Sequence, residues 1–376
     1  MDILSLIKSN PNIEVIEIPL HTPEWYDFRL HGIGASEIGY VLRKSDWKDA
    51  LPVFEEKVGL KKLPFSLNEH MTFGNYLEGT IADVWTYYNG EGYYRNINEG
   101  KRIRKCYTTE LKNKYFRNKK YPWLFCSLDG LIAPGSERLD EGKLQGYGIL
   151  EIKNQRSFAL KKWESPVPIE QFYQIHQIML ILEADYGEIA TFVDGWHLQV
   201  TPLPLIPKLA EDLLSESRKF WYEQVLPAKA IKRGLHRAYA SQNFELATRL
   251  EAALYSYEPV AIGTPSYVEY LAESAQQNPV RLQQDKSIYD HALWMRKIDA
   301  MKKELDKKKM NHEAIIRSHF RRKEGTEMDF DELGTIRIKR RKNSEKAILY
   351  NYVEDRRGKE ALKRDAFLAI NQLKVA

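Results

Sequence analysis

Ser127-Leu128-Asp129-Gly130, followed after a turn-rich interval by Ile149-Leu150-Glu151-Ile152-Lys153, is the stretch on which the reading of this chain turns. Asp129 closes an apolar run of Trp123, Leu124, Phe125 and Cys126. Glu151 and Lys153 alternate with Leu150 and Ile152, the period-two signature of a half-buried strand. The interval from Pro134 to Gly146 holds Gly135, Gly142 and Gly146 with Ser and Asp, so it punctuates a hairpin. Two strands are therefore predicted to meet with charge on one face. Glu151 and Lys153, two apart, point the same way. Facing residues on adjacent strands lie about 5 Å apart, which lets Asp129 and Glu151 share a cation.

Two carboxylates held together raise each other's pKa unless positive charge intervenes, and a hard, oxygen-liganded ion such as Mg²⁺ is the usual resolution. An adjacent ammonium can then hold or deprotonate a water that attacks phosphorus. The plainer reading is a surface hairpin with an ordinary Glu/Lys pair. The Asp-Gly at the end of its own apolar strand argues against it.

On either side of this stretch, further blocks stand in order: Trp25-Tyr26-Asp27-Phe28-Arg29, Ile33-Gly34-Ala35-Ser36-Glu37, Phe73-Gly74-Asn75-Tyr76-Leu77-Glu78, and Tyr173-Gln174-Ile175-His176-Gln177-Ile178-Met179. With Cys126-Ser127-Leu128-Asp129-Gly130 and Leu150-Glu151-Ile152-Lys153, they resemble the PD-(D/E)XK nuclease superfamily, and within it the phage lambda exonuclease and YqaJ-type viral recombinase family. Leu128 stands where the superfamily's name has proline. The resemblance covers roughly the first two hundred residues. It implies a restriction-endonuclease-like α/β fold, a central mixed β-sheet flanked by helices.

It also implies roles. Asp129 and Glu151, with the Ile152 carbonyl, would bind Mg²⁺. Mn²⁺ is equally acceptable to such oxygen ligands. Lys153 would position the attacking water, Glu78 would assist the metal site from its helix, and Gln174 would orient the reacting groups. Arg29, Ser36 and Ser127, with Arg156 where the chain leaves the strand, would hold a DNA 5′-phosphate. Arg29 and Ser36 also have plain explanations, as a surface arginine and a helix cap.

Composition sets the outer bounds. A chain of 376 residues has room for a catalytic domain and a second module, since domains run to about 100–200 residues. The 43% hydrophobic content suits a sizeable core. The net charge of +5 permits nucleic-acid binding without requiring it. Two cysteines, Cys106 and Cys126, are too few for a disulfide framework or an iron–sulfur cluster. Residues 1–11 have no export pattern and no run approaches eighteen apolar residues. No membrane association is expected, and the expected setting is the cytoplasm of a bacterial or phage-infected cell.

Along the chain, Thr22 and Pro23 open a helix, and Ser36 reads as the cap of a second short helix through Leu42. Residues 74–88 carry Leu77, Ile81, Val84, Trp85 and Tyr88 at helical spacing. From Glu91 to Tyr121 the sequence is basic and aromatic, including Arg102, Arg104, Lys105, Lys112, Lys114, Arg117, Lys119 and Lys120, as a solvated face or a DNA contact would be. Residues 170–183 are apolar on most sides, a helix buried against the sheet, in which His176 reads as a core histidine. Asp194-Gly195 marks a hairpin between 189–193 and 196–200.

A change of character at Pro202, Pro204 and Pro207 sets expected domains of 1–205 and 206–376, the second mainly helical, basic, and binding DNA or a partner. Helices are expected at 208–224, 243–255 and 287–320, a linker at 263–286, and a basic strand at 334–342.

The expected activity is a Mg²⁺-dependent exonuclease acting on double-stranded DNA ends. The resemblance adds 5′→3′ polarity and a 3′ strand left for a single-strand annealing recombinase. The alternatives are an endonuclease of the same fold, or a catalytically idle DNA-end-binding scaffold. A homo-oligomer is compatible with the sequence. The family's ring-shaped trimer is not carried over, because residues 206–376 have no counterpart there.

Overall fold

The computed structural model describes residues 3–44, 49–61, 69–140, 142–157, 167–260 and 286–323, with five short strands between 327 and 355. The chain divides into two compact units, Met1–Gln276 and Gln277–Ala376. No helix among the described residues is long and apolar enough to cross a membrane.

The first unit is mixed α/β. Its central sheet has five strands: β3 (Cys106–Tyr107), β6 (Gly130–Ile132), β7 (Gly148–Gln155), β8 (Tyr186–Val193) and β9 (His197–Pro204), adjacent in that order. Only β7 and β8 run parallel, and the other pairs are antiparallel. Parallel neighbours require a crossover, and helix α7 (Ile169–Leu182) lies on it. Two smaller strand pairs lie outside this sheet. β1 (Ile13–Glu17) pairs antiparallel with β4 (Lys114–Asn118), and β2 (Ile33–Gly34) pairs parallel with β5 (Leu124–Phe125).

Both hairpins form, but the first uses a different strand from the one expected: the apolar run before Asp129 is β5, which pairs with β2, and the partner of β7 is β6, which begins only after Asp129. β6 and β7 pair with Gly130 opposite Leu150, across a loop bridged between Glu137 and Lys143. β8 and β9 turn at Asp194-Gly195, where both φ angles are positive (52° and 78°) and the Trp196 N–H donates to the Val193 carbonyl. Those are the dihedrals of the mirror-image turn that matches strand twist.

Alternation along β7 and β8 sorts the core into two layers. Ile149 and Ile189 face one layer with Ile175, Ile178, Met179 and Leu182 of α7. Leu150, Ile152, Ala190 and Phe192 face the other, against Ile81, Ala82 and Trp85 of α5 (Glu69–Trp85). Every residue of β8 is buried, as expected of a strand covered on both faces. Close approach of α7 depends on two glycines. A Cβ on Gly187 would come 2.8 Å from Ile175 Cδ1, and one on Gly39 would lie 3.0 Å from Glu170 Cα. Gly39 belongs to α3 (Ile38–Val41), a short helix that contacts α7.

Thr22 caps α2 (Pro23–Arg29) as expected, its hydroxyl accepting the Trp25 N–H at 3.2 Å. Ser36 does not cap. It sits inside a 3₁₀ turn, Ala35–Glu37, whose cap is Gly34, and the Glu37 carboxylate accepts the Gly34 N–H at 2.8 Å. A glutamate three residues on can satisfy that donor from inside the turn.

The boundary expected after residue 205 does not separate compact units. α8 (Pro207–Lys219) continues through a π-helical turn, Phe220–Val225, into α9 (Leu226–Ala240), with α10 (Phe244–Tyr255) following. Leu213, Phe220, Trp221, Val225, Ala228 and Leu254 from this run are buried in the same core as Ile149 and Ile175. Trp123 donates its indole N–H to Ser217 Oγ at 3.0 Å and packs against Tyr222. The helix expected to end at Gln224 therefore continues. Pro227 lacks an N–H and clashes with the preceding turn, and the π turn just before it absorbs that misfit.

The second unit holds α11 (Lys286–Lys323), which spans the expected helix. The expected basic strand is broken into Gly334–Arg337, which pairs with Glu327–Asp329 and Glu354–Asp355, and Lys339–Arg340, which pairs with Ala347–Ile348. Ile338, Arg341 and Lys342 of that strand lie outside the described residues, as do 261–285, which include nearly all of the expected linker.

Candidate active site

β7 carries the charged group because its side chains alternate. Leu150 and Ile152 enter the α5 layer, which leaves Glu151 and Lys153 on the opposite face, toward α7. Glu151 is buried, and the Lys153 ammonium donates to its Oε1. Gln174, from α7, donates its amide to the same oxygen at 2.5 Å. Asp129 lies at the bend that enters β6. Its Oδ2 accepts the backbone N–H of Ile152 at 2.9 Å, tying the carboxylate to β7 between Glu151 and Lys153.

Burial, then the field of Asp129, pushes the Glu151 carboxyl up, and Lys153 only partly offsets this. Glu78, on α5, feels the same field. Burial, then Asp129, raises it to about 7, with Glu151 adding to the rise and Lys153 and Lys112 opposing it. Burial works against the Lys153 charge, but Glu151 and Asp129 outweigh it and hold the ammonium above the ordinary lysine range. The group thus has more carboxylate than Lys153 can neutralise. That is the chemistry of a site for a hard cation. Among the described residues no three of His, Cys, Asp and Glu converge as a full ligand set. Two carboxylates with a backbone carbonyl suit Mg²⁺, which keeps several of its waters.

The residues assigned to a terminal phosphate are dispersed in character. Ser36, Ser127 and Arg156 are exposed. Arg29 is not a free cation. Its guanidinium pairs with Glu37, lies 3.7 Å from Glu56 and stacks over Trp25, and its side chain is 21% exposed. Lys57, fully buried, donates to the Arg29 carbonyl at 2.8 Å and to Glu37 Oε2 at 2.7 Å. Burial would raise Glu37, but Lys57 and Arg29 lower it. Tyr40, one turn on from Glu37, lies in the fields of Glu170, Glu37 and Lys153, with burial the main cause of its raised pKa.

The basic stretch before Asp129 is not uniformly a solvated face. Arg104 is buried, paired with Glu188 of β8, which also accepts from the Trp85 indole at 2.9 Å and from the Tyr186 hydroxyl at 2.5 Å. Lys120 pairs with Glu183 at 2.6 Å, and Lys119 donates to the Pro11 carbonyl at 2.7 Å. Glu188 gave no sequence signal, since a single acid in an otherwise apolar strand names no partner.

The other amides and the histidine of α7 have structural places. Gln177 donates to the carbonyls of Ile33 and Phe125, both at 3.0 Å, joining β2 to β5. His176 is fully buried and donates Nδ1–H to the Phe172 carbonyl at 2.7 Å, as expected of a core histidine.

Residues 24–185, which contain every candidate named above, match the family model of the YqaJ-like viral recombinase domain. The chain is 23% identical over 210 residues to the uncharacterized protein YqaJ of Bacillus subtilis (strain 168), an alignment covering 55% of this chain and 57% of that protein. The chain thus spans somewhat over half the length of this curated relative. Among solved structures, LHK-Exo in complex with dAMP is similar at 16% identity and a TM-score of 0.40, over 59% of this chain and 99% of that one. The alkaline exonuclease LHK-Exo from Laribacter hongkongensis gives 15% and 0.35, over the same shares. A phage-related exonuclease from Haemophilus somnus 129PT gives 10% and 0.29, over 52% and 95%.

Proposed function

Given that residues 24–185 match the family model of the YqaJ-like viral recombinase domain, we propose that the protein is a metal-dependent DNA exonuclease that degrades duplex ends from 5′ to 3′. The observation that carries this reading is the meeting of Asp129, Glu151, Lys153 and Gln174 on one face of β7, with Glu78 in the same field.

Asp129, Glu151 and the Ile152 carbonyl would hold Mg²⁺ or Mn²⁺, with Glu78 acting through water. When bound, such an ion neutralises charge developing on the phosphate oxygens. Gln174 fixes the Glu151 carboxylate by occupying one of its oxygens. Lys153 is held in its charged form, so it donates a hydrogen bond that orients the attacking water rather than removing its proton. The exposed hydroxyls of Ser36 and Ser127 and the exposed guanidinium of Arg156 are available to a terminal phosphate. Arg29 supports that grip from its pair with Glu37. The product is a 3′ single strand, the substrate of an annealing recombinase.

The test is digestion of linear duplex bearing a 5′-phosphate or a 5′-hydroxyl, in Mg²⁺ and in EDTA, with covalently closed circles alongside. Mg²⁺-dependent loss of the linear form alone, faster with the phosphate, is expected. In Lys153→Ala the rate should fall on the order of 10²–10³-fold while DNA binding persists, as for loss of one donor at a reacting centre. Cutting of closed circles would make the enzyme an endonuclease, and no cutting under any condition would leave an end-binding scaffold.

A further inference from the structure

Helix α9 contains Lys229, Lys232, Arg233, His236 and Arg237 and no acidic residue. Repeated positive charge four residues apart, as in Lys229/Arg233 and Arg233/Arg237, weakens a helix unless an anion is at hand. Lys229, Lys232, Arg233 and His236 share one face. They border a cavity of about 330 Å³ whose floor is Val58, Trp221 and Leu226.

Two of these cations have structural work. Lys229 donates to the Leu30 carbonyl at 2.6 Å, at the C-terminal end of α2. Lys232 donates to the carbonyls of Val58 and Gly59, at the end of α4 (Ala50–Val58). Positive groups are favoured at such ends. Arg233 and His236 have no such work. Both are exposed, and neither belongs to any ion pair among the described residues. His31, which also lines the cavity, lies 3.7 Å from the Asp27 carboxylate. Burial, with repulsion from Lys57, Arg233 and Lys232, lowers Lys229 to about 8 against the pull of Asp27. The cavity therefore carries a surplus of positive charge over an apolar floor.

We propose that this cavity is an anion site that takes a phosphate, with its attached sugar, from the DNA strand that the β7 site cleaves. Arg233 can meet two phosphate oxygens with its planar fork, and His236 adds a donor one turn along. The apolar floor suits a deoxyribose better than a bare inorganic ion. None of Glu78, Asp129, Glu151, Lys153 or Gln174 lines the cavity, so it is a second contact and not part of the cleavage site. The proposal rests on the nuclease reading.

The test uses the full chain with Arg233→Gln and His236→Gln together, positions exposed enough to leave the core intact. Binding of a labelled duplex is followed by fluorescence anisotropy in EDTA, where no cleavage intervenes, across a KCl series. The double variant should bind on the order of tenfold more weakly at low salt, with the slope of log K against log salt shallower by about 0.9 for each phosphate contact removed. Unchanged affinity and slope would overturn the site while leaving the nuclease reading standing. Failure of the unaltered protein to bind duplex would overturn both. If dAMP or inorganic phosphate stabilises the unaltered protein and not the variant, while duplex binding is equal in the two, the cavity serves a free phosphate compound and the strand assignment falls.

Discussion

Glu78 shows most directly how the site is balanced. Its carboxyl is raised from an ordinary 4.5 to about 7, chiefly by burial and then by Asp129. The folded chain therefore binds this proton more tightly than the unfolded chain does. Its contribution to stability is complete below pH 4.5 and is lost as pH rises through 7. In EDTA, Glu78→Gln should gain in melting temperature relative to the unaltered protein as pH goes from 4.5 to 8. Added Mg²⁺ should narrow that gap at pH 8 by supplying the missing positive charge. A gap that stays constant with pH would show that Glu78 does not share the field of Asp129. The identity of this residue was legible in the sequence only through its block, Phe73 to Glu78. A glutamate on a helix is ordinarily solvated, and its raised pKa needs a neighbour that arrives fifty residues later.

Among the elements, β8 shows what alternation does and does not encode. Its hydrophobic run and the Asp194-Gly195 turn were readable, because burial on both faces and a mirror-image turn each demand particular residue types. The role of Glu188 within it was not. Arg104 comes from the loop before β3, eighty-four residues away, and their pair is almost wholly enclosed, with side chains 2% and 0% exposed. Removing one partner strands a buried charge, so Arg104→Ala should lower stability by about 3–5 kcal/mol, read by chemical denaturation. Arg104→Met with Glu188→Leu should recover most of that loss, because the desolvation penalty disappears with both charges. A double variant as unstable as the single one would mean that the hydrogen bonds from Trp85 and Tyr186 to Glu188 are what matter.

At the scale of the whole molecule, the boundary read from Pro202, Pro204 and Pro207 is a change of secondary structure and not of domain. α8 and the π turn insert Leu213, Phe220 and Trp221 into the core that supports β7. A chain ending at Gln276 should unfold in one cooperative transition and keep any Mg²⁺-dependent cleavage. A chain ending at Leu205 should fail to fold, since it exposes that core and leaves Trp123 without Ser217 and Tyr222. Cooperative folding of the shorter chain would restore the boundary at 205.

The long strands β7 and β8, the Asp194-Gly195 turn, the helical stripes and the order in which Asp129, Glu151 and Lys153 occur were legible in the chain, because these depend on short-range geometry: period two, period 3.6, and the residues that tolerate a positive φ. The same geometry placed Gln174 and His176 on a buried helix. Long-range packing set which oxygen Gln174 holds, that Arg29 is shared with Glu37 beside a buried Lys57, that Arg104 leaves the basic face to neutralise Glu188, which strand meets β7 beside Asp129, and that α9 gathers its cations over Trp221. Each of these is a pairing between groups distant in the chain. Local pattern carries the direction in which a side chain points but not what comes to meet it, and burial turns that meeting into a large electrostatic effect.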